Sequence, residues 1–226
     1  MHWIDPNSLP VVTGVLERFV LNPHGEVDGF VMRAGDSDAL VHTPPHMEAE
    51  LTRHIKPGET VHVRAVRPRG AELLAAVAVT GANGKEVVDH GPDDDREHPK
   101  HDPRKMDAEG TVRLSLFGPK GELRGALLTD GTVVRIGPKE AGDVAELLAP
   151  RATLAVRGDG IETRFGRVIH AREAGASLKS LAPIKHAKPG PKHEHGPKHG
   201  PKHGPKHESK HGPKHKHGPE HDDAHA

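Results

Sequence analysis

Histidine is the residue type in this chain with the widest chemical potential. The 226 residues include 21 histidines and no cysteine, so disulfides and thiolate metal sites are excluded. Eleven of the histidines lie at or after residue 186, in the region where the unit GPKH recurs. Gly and Pro disfavour a helix, so the repeat predicts a disordered tail whose imidazoles can wrap Ni²⁺, Zn²⁺ or Cu²⁺. The candidate ligands are His193, His195, His199, His203, His207, His211, His215, His217 and His221. No cofactor is expected to be required.

A second set of histidines lies in an internal repeat. Residues 22–29 read NPHGEVDG and residues 118–125 read GPKGELRG, with Pro, both Gly and Glu in the same register. The match continues at an offset of about 96 residues, and then at about 93 after three extra residues in the first copy. Three positions change type between the copies: His24, His42 and His46 become Lys120, Arg135 and Lys139.

Each copy predicts the element order β-β-β-α-β-β. The segments 11–21, 27–33 and 39–43 are rich in β-formers, and 59–67 alternates apolar and polar residues. Between them Met47, Leu51 and Ile55 recur at helical spacing after Pro44-Pro45. Gly29 and Gly125 predict a bulge in the second strand. The helix–Pro–strand junctions at 56–58 and 149–151 recur in both copies.

This order resembles the OB-fold, a five-stranded Greek-key barrel with a helix between strands three and four. An SH3-like barrel is the alternative, but it would leave the helix unexplained. The expected fold is therefore mostly β, with two OB-like barrels. The expected organisation is an extension (1–10), barrel 1 (11–89), a charged linker (90–109), barrel 2 (110–175) and the tail (176–226).

The resemblance implies a binding function, because OB-folds bind oligonucleotides and oligosaccharides on strands two and three and on the adjoining loops. The strand directions bring the loops between strands one and two, three and the helix, and four and five to one end of each barrel. We therefore expect weak, salt-sensitive binding of RNA or single-stranded DNA at these rims. The expected contact residues are His24, His42, His46, Arg67, Arg69, Phe30, Lys120, Arg124, Arg135 and Lys139. The histidines of copy one would gain charge near their ordinary pKa of about 6.5.

Three alternatives remain open at this point. The rim histidines of copy one, His24, His42 and His46, could form a three-His zinc or copper site. The whole chain could be a metal-buffering or metallochaperone protein whose barrels dock a partner protein. The barrels could also serve only as an oligomeric scaffold.

The composition narrows the classes of function. Aromatic residues make up only 2% of the chain, so stacking platforms for bases are scarce. No nucleophile constellation or phosphate-binding loop is visible, so we expect no enzyme activity. No apolar run is long enough to span a membrane, no leader segment is recognisable, and a cytoplasmic location is the default expectation. Residues 1–90 hold 8 Lys or Arg against 12 Asp or Glu, whereas residues 176–226 hold 10 against 5. This asymmetry indicates a basic tail that either has its own partner or folds back on the acidic half.

Overall fold

A computed structural model describes residues 5–92 and 101–184. The first part begins with a short 3₁₀ turn (Pro6–Ser8) and then forms barrel 1. The strands of barrel 1 are β1 (Val11–Leu21), β2 (Val27–Ala34), β3 (Ser37–His42), β4 (Thr60–Val66), β5 (Leu74–Thr80) and the short β6 (Glu86–Val88). A 3₁₀ turn (Pro45–Met47) leads into helix α1 (Glu48–His54) between β3 and β4.

Barrel 2 repeats this plan. Its strands are β7 (Arg104–Phe117), β8 (Leu123–Leu128), β9 (Val133–Arg135), β10 (Thr153–Thr163), β11 (Gly166–Gly175) and the short β12 (Ala182–Pro183). Helix α2 (Pro138–Ala141) follows β9 and continues as a 3₁₀ segment (Gly142–Leu148).

Both sheets close into five-stranded barrels with one topology. In barrel 1 the hydrogen-bonded order is β3-β2-β1-β4-β5, and a parallel pairing of β3 with β5 closes the ring. In barrel 2 the order is β10-β7-β8-β9-β11, with β10 paired to β11. This is the OB-like Greek-key arrangement that the sequence predicts. In each barrel the extra short strand, β6 or β12, adds to the fifth strand.

The helix of barrel 1 forms where the apolar spacing predicts it. Met47, Leu51 and Ile55 are all buried, so one face of this segment closes the bottom of the barrel. The chain becomes extended at Ile55, before Lys56-Pro57, as expected for a residue near a proline.

The equivalent segment of barrel 2 is less regular than predicted. The sequence KEAGDVAELLA, residues 139–149, predicts one helix at the place where barrel 1 has its own, but only a single α-helical turn forms before the 3₁₀ segment. Gly142 weakens the helix at this point, and the β-branched Val144 has a non-helical φ of −121°.

Two element boundaries differ from the sequence prediction. Strand β7 starts at Arg104, inside the predicted linker of residues 90–109, and pairs with β10 from its first residue. Strand β12 lies inside the predicted tail of residues 176–226, and Ile184 just beyond it is buried. The charged residues at the start of β7 are all exposed, and composition alone does not distinguish them from a linker: Arg104, Lys105, Asp107 and Glu109.

The two barrels pack directly against each other. Five buried residues of barrel 2 belong to the apolar cluster that forms the core of barrel 1: Leu116, Leu127, Val133, Ile161 and Val168. At the edge of this contact the rings of Phe19 and Phe165 meet edge to face, with centroids 5.2 Å apart. A separate cluster, which includes Leu148, Leu154 and Ile169, fills barrel 2 on the side of its own helix.

Candidate functional site

The first copy of the repeated turn joins β1 to β2 and is held by Asn22. Its side-chain oxygen accepts hydrogen bonds from the backbone N–H groups of His24 and Glu26, at 2.8 and 3.1 Å. Its side-chain amide donates to the Glu26 carboxylate at 2.8 Å. Gly25 has a φ of +82°, which explains the glycine at this position. His24 is left exposed at the tip.

The second copy joins β7 to β8 with a different side chain in the capping role. Gly118 replaces the asparagine, and the Glu122 carboxylate instead accepts the backbone N–H of Lys120 at 3.1 Å. The same carboxylate also accepts hydrogen bonds from Arg124. Gly121 has a φ of +83°, nearly that of Gly25. The shared residues of the two turns therefore serve the backbone conformation.

The predicted bulges are confirmed at the same place in both barrels. The pairing of β1 with β2 shifts register after Val20 and Gly29, and that of β7 with β8 shifts after Leu116 and Gly125. A Cβ at Gly29 or Gly125 would overlap a carbonyl oxygen of the neighbouring strand, from Val41 or Val134. The bulge turns each second strand sharply enough to close its barrel.

The loops expected to form two separate rims cross over onto the other barrel. A Cβ built on Gly121, in the β7–β8 turn, would lie 3.3 Å from the Arg69 carbonyl oxygen and 3.5 Å from the Ala71 Cβ. Arg69 and Ala71 belong to the β4–β5 loop of barrel 1. Conversely, the turn at Gly25 approaches Ile161 of β10 and the ring of His101. Each first turn therefore packs against the other barrel.

The region where the two barrels meet is called the junction below. Arg135 is buried in it and does not lie on an open rim, which corrects the expectation for this residue. Its Nε donates to the Leu21 carbonyl oxygen at 2.8 Å, and its Nη2 donates to the Asp28 carboxylate at 2.6 Å. The side chains of Arg135 and Asp28 are only 8% and 13% exposed. A guanidinium with these partners joins the barrels and is not free to meet a phosphate.

His42 lies beside this ion pair and is half-buried. Burial lowers the pKa of its imidazole; the Asp28 carboxylate opposes this shift, and the Arg135 guanidinium adds to it. Burial likewise raises the pKa of Asp28, against the opposing effect of Arg135. His42 therefore stays neutral to lower pH than expected from the sequence.

Phe30 is fully buried in the core of barrel 1, so its ring cannot stack on a base in this structure. The side chain of strand two that reaches the junction is Asp28, two residues earlier. In an unbroken strand two residues at this spacing share a face, but the register shift beside Gly29 separates Asp28 from Phe30.

The three-His metal site is not formed. His46 is 2.7 Å from the Asp89 carboxylate, which follows β6, whereas His24 is exposed at a different turn. Within residues 5–92 and 101–184, no group of three or more His, Cys, Asp or Glu side chains could hold a metal ion. The predicted metal ligands of the tail lie outside the described residues.

The remaining predicted contact residues divide into paired and exposed cations. Arg124 is half-buried and donates to Glu122 at 2.7 Å. Arg67, Arg69, Lys120 and Lys139 are exposed. In the part of the chain that the structure describes, none of these four has a carboxylate partner. Because Gly121 abuts the Arg69 carbonyl, Lys120 of barrel 2 and the Arg67–Arg69 loop of barrel 1 form one continuous surface, which we call the basic rim.

A cleft of about 220 Å³ opens beside the basic rim, between the two barrels. Both barrels contribute to its walls, and we call it the inter-barrel cleft. Barrel 1 supplies Asn22, Pro23, Asp28 and His42; barrel 2 supplies Phe117, Gly118, Pro119, Arg124, Arg135 and Ile136.

Several interface residues were missed by the sequence analysis. Arg113 of β7 forms an ion pair with Glu17 of β1, and its Nε donates to Asp38 at 2.8 Å. Glu17 and Arg113 occupy the same position of the repeat, 96 residues apart. Opposite charges at equivalent positions are the signal that could have indicated direct packing of one copy on the other.

The described residues include no helix long and apolar enough to cross a membrane.

The two barrels define a tandem OB-like protein, in which the faces that usually bind ligands in this fold meet at one junction. No known protein family and no curated protein matches the chain. Among solved structures, the chain is similar to the wild-type single-stranded DNA binding protein from Thermus aquaticus. The two share 14% identity with a TM-score of 0.25, over 79% of this chain and 97% of that chain.

Proposed function

We propose that this chain is a non-catalytic binding protein that binds single-stranded RNA or DNA weakly, through the phosphate backbone. The basic rim carries this proposal, because it joins three exposed cations, Arg67, Arg69 and Lys120, across the two barrels. Among the described residues, none of the three has a carboxylate partner. Loops at this end of an OB-like barrel are the usual binding surface of the fold. Lys139 and His24 are also exposed.

Binding by this surface depends on salt. Each phosphate neutralised on a single strand contributes about −0.7 to the slope of log K against log salt, so three cations give a slope of about −2. The affinity is low for the same reason, since three contacts are few. Phe30 is buried and adds no stacking to this surface.

The test uses full-length protein in EDTA and the anisotropy of labelled ten-nucleotide strands of dT and rU across a salt series. The variant Arg67→Ala/Arg69→Ala/Lys120→Ala is expected to lose most of the low-salt affinity and most of the slope. The matched control is Arg53→Ala/Lys56→Ala/Lys85→Ala, which removes the same charge from exposed positions at the opposite end of barrel 1. No binding at low salt, or equal loss in both variants, contradicts the proposal.

A second candidate function follows from the tail sequence. The run of GPKH units places an imidazole at every fourth position, and imidazole suits Ni²⁺, Zn²⁺ and Cu²⁺. We propose that the tail binds these ions, with metal buffering or delivery as its role and a partner protein at the barrels. Calorimetric titration of the full chain with Ni²⁺ should show several sites. Replacing the nine candidate ligands of the tail with Ala should remove these sites, and retained binding would place the ions elsewhere.

A further inference from the structure

The inter-barrel cleft is a site with walls of two kinds. Its apolar surface comes from Pro23 and Pro119, one from each repeated turn, and from Phe117 and Ile136. Its polar surface comes from Asn22, Asp28 and His42 of barrel 1 and from Arg124 and Arg135 of barrel 2. An apolar cleft with a few placed polar groups is the usual form of a small-ligand site.

The polar groups offer donors and acceptors together with little net charge. Arg135 is paired with Asp28, and Arg124 is paired with Glu122, so each guanidinium has a carboxylate beside it. A phosphate in the cleft would meet these carboxylates as well as the guanidinium groups. The chemistry therefore favours a flat, uncharged group that both donates and accepts hydrogen bonds, as a nucleobase does.

The volume limits the occupant to a single such group. About 220 Å³ is below the range of about 300–1,000 Å³ that is typical for drug-sized ligands. One unstacked base fits this space, whereas a continuing strand does not. A base held between rings and apolar walls gains stacking energy without sequence readout.

The cleft is continuous with the basic rim through a single turn. Gly118 and Pro119 line the cleft, Lys120 is exposed at the tip, and Gly121 contacts the Arg69 loop. A strand whose backbone lies over Lys120 thus has the cleft within reach of its bases. We propose that the inter-barrel cleft holds one unstacked nucleobase of the strand that the basic rim binds; this inference rests on the proposed function.

The experiment compares two strands of equal charge on full-length protein in EDTA: a labelled decamer of dT and the corresponding decamer of abasic residues. Both offer the same phosphates, so a rim that reads the backbone alone binds them equally. If a base of the dT strand occupies the cleft, the affinity for the abasic strand should be about tenfold lower than that for dT. This factor is within the range known for one stacked base.

A cleft-blocking variant gives an independent result. Pro119→Trp puts a bulky ring at the mouth of the cleft and should bring the affinity for dT down to that for the abasic strand. Pro57→Trp is the matched control, because Pro57 is also exposed at the second position of a hydrogen-bonded turn, at the opposite end of barrel 1. This variant should keep the tenfold difference.

The outcomes separate the two proposals. Equal binding of both strands by the unmodified protein overturns the base site and leaves the rim intact. A tenfold difference that survives in Pro119→Trp also overturns it. Absence of binding to either strand at low salt overturns the proposed function, and the base site with it.

Discussion

The position of Arg135 in the repeat predicted a contact with a ligand, but its side chain instead holds the two barrels together through Leu21 and Asp28. Replacing it with Ala would leave the Asp28 carboxylate mostly buried and without its partner. Removal of one member of such a pair typically costs about 3 kcal/mol or more. We therefore expect Arg135→Ala to lower the free energy of unfolding in urea by about 3 kcal/mol.

The control is Arg124→Ala, because Arg124 lies at the same junction but is 41% exposed in its side chain. Solvent screens its ion pair with Glu122, so the expected loss is below about 1 kcal/mol. Similar losses in the two variants would contradict the view that burial sets the importance of Arg135.

His42 makes the stability of the protein depend on pH. Its pKa is lowered in the folded protein, so the unfolded chain binds more protons below about pH 6.5, the ordinary value for histidine. The free energy of unfolding should therefore decrease as the pH falls through and below about 6.5. Asp28, whose pKa is raised, acts in the opposite direction: its contribution is lost as the pH rises above 3.8. Arg135 and Glu122 complete the charges that act on His42.

Urea unfolding of His42→Gln and of the exposed-site control His24→Gln, from pH 7.5 downwards, isolates the contribution of His42. The first variant should have a flatter profile than the unmodified protein, and the second should follow it. Identical slopes in all three proteins would show that burial of His42 does not control the pH dependence.

At the level of elements, the bulge in the second strand is the feature that the fold requires most directly. Gly125 has a φ of +143°, and an added Cβ would overlap the Val134 carbonyl oxygen of β9. Gly125→Ala should therefore destabilise the protein by about 2 kcal/mol or more in urea unfolding. Gly142→Ala is the control, because no heavy atom of the described residues lies within 4 Å of the new Cβ, apart from its chain neighbours and its own helix backbone. Since Gly142 has a helical φ of −61°, its replacement should be neutral or stabilising by less than about 1 kcal/mol. Equal effects would contradict a special role of the bulge.

The elements were largely predictable, and the reason is local. Spacing of Met47, Leu51 and Ile55 predicted the helix, and paired glycines predicted the bulges, because both patterns depend on residues near in sequence. Two of the predicted contact residues are buried in the structure, which the sequence did not indicate. Phe30 and Arg135 are buried by contacts with strands distant in sequence, and neither their type nor their position in the repeat indicates those contacts.

At the level of the whole molecule, the repeat predicted two barrels but did not predict that they share a core. Repetition shows that two copies fold alike, whereas their packing depends on which faces are complementary. Here the complementary faces contain Glu17 opposite Arg113 and Asp28 opposite Arg135. The faces that the fold usually offers to a ligand lie largely against each other, whereas the basic rim and the inter-barrel cleft are open among the described residues.

A shared core has a consequence for unfolding. Buried residues of barrel 2 such as Leu116 and Leu127 belong to the apolar cluster of barrel 1, so neither barrel can open without exposing apolar surface of the other. The barrels should therefore unfold in one cooperative transition. Phe165→Ala removes the ring that meets Phe19 across the junction and should reduce hydrogen-exchange protection in β2 and β5 of barrel 1 as well as in barrel 2.

Phe165→Ala should lower the free energy of unfolding by about 2 kcal/mol. This is less than for a fully buried ring, because Phe165 is only half-buried. Val66→Ala is the control; Val66 is 39% exposed on barrel 1 and should leave protection in both barrels unchanged. Loss of protection confined to barrel 2 would mean that the barrels are stable separately. The basic rim and the inter-barrel cleft each contain residues of both barrels. If the barrels were stable separately, the rim and the cleft could therefore come apart while each barrel stays folded. Cooperative unfolding, in contrast, would keep them assembled whenever the protein is folded.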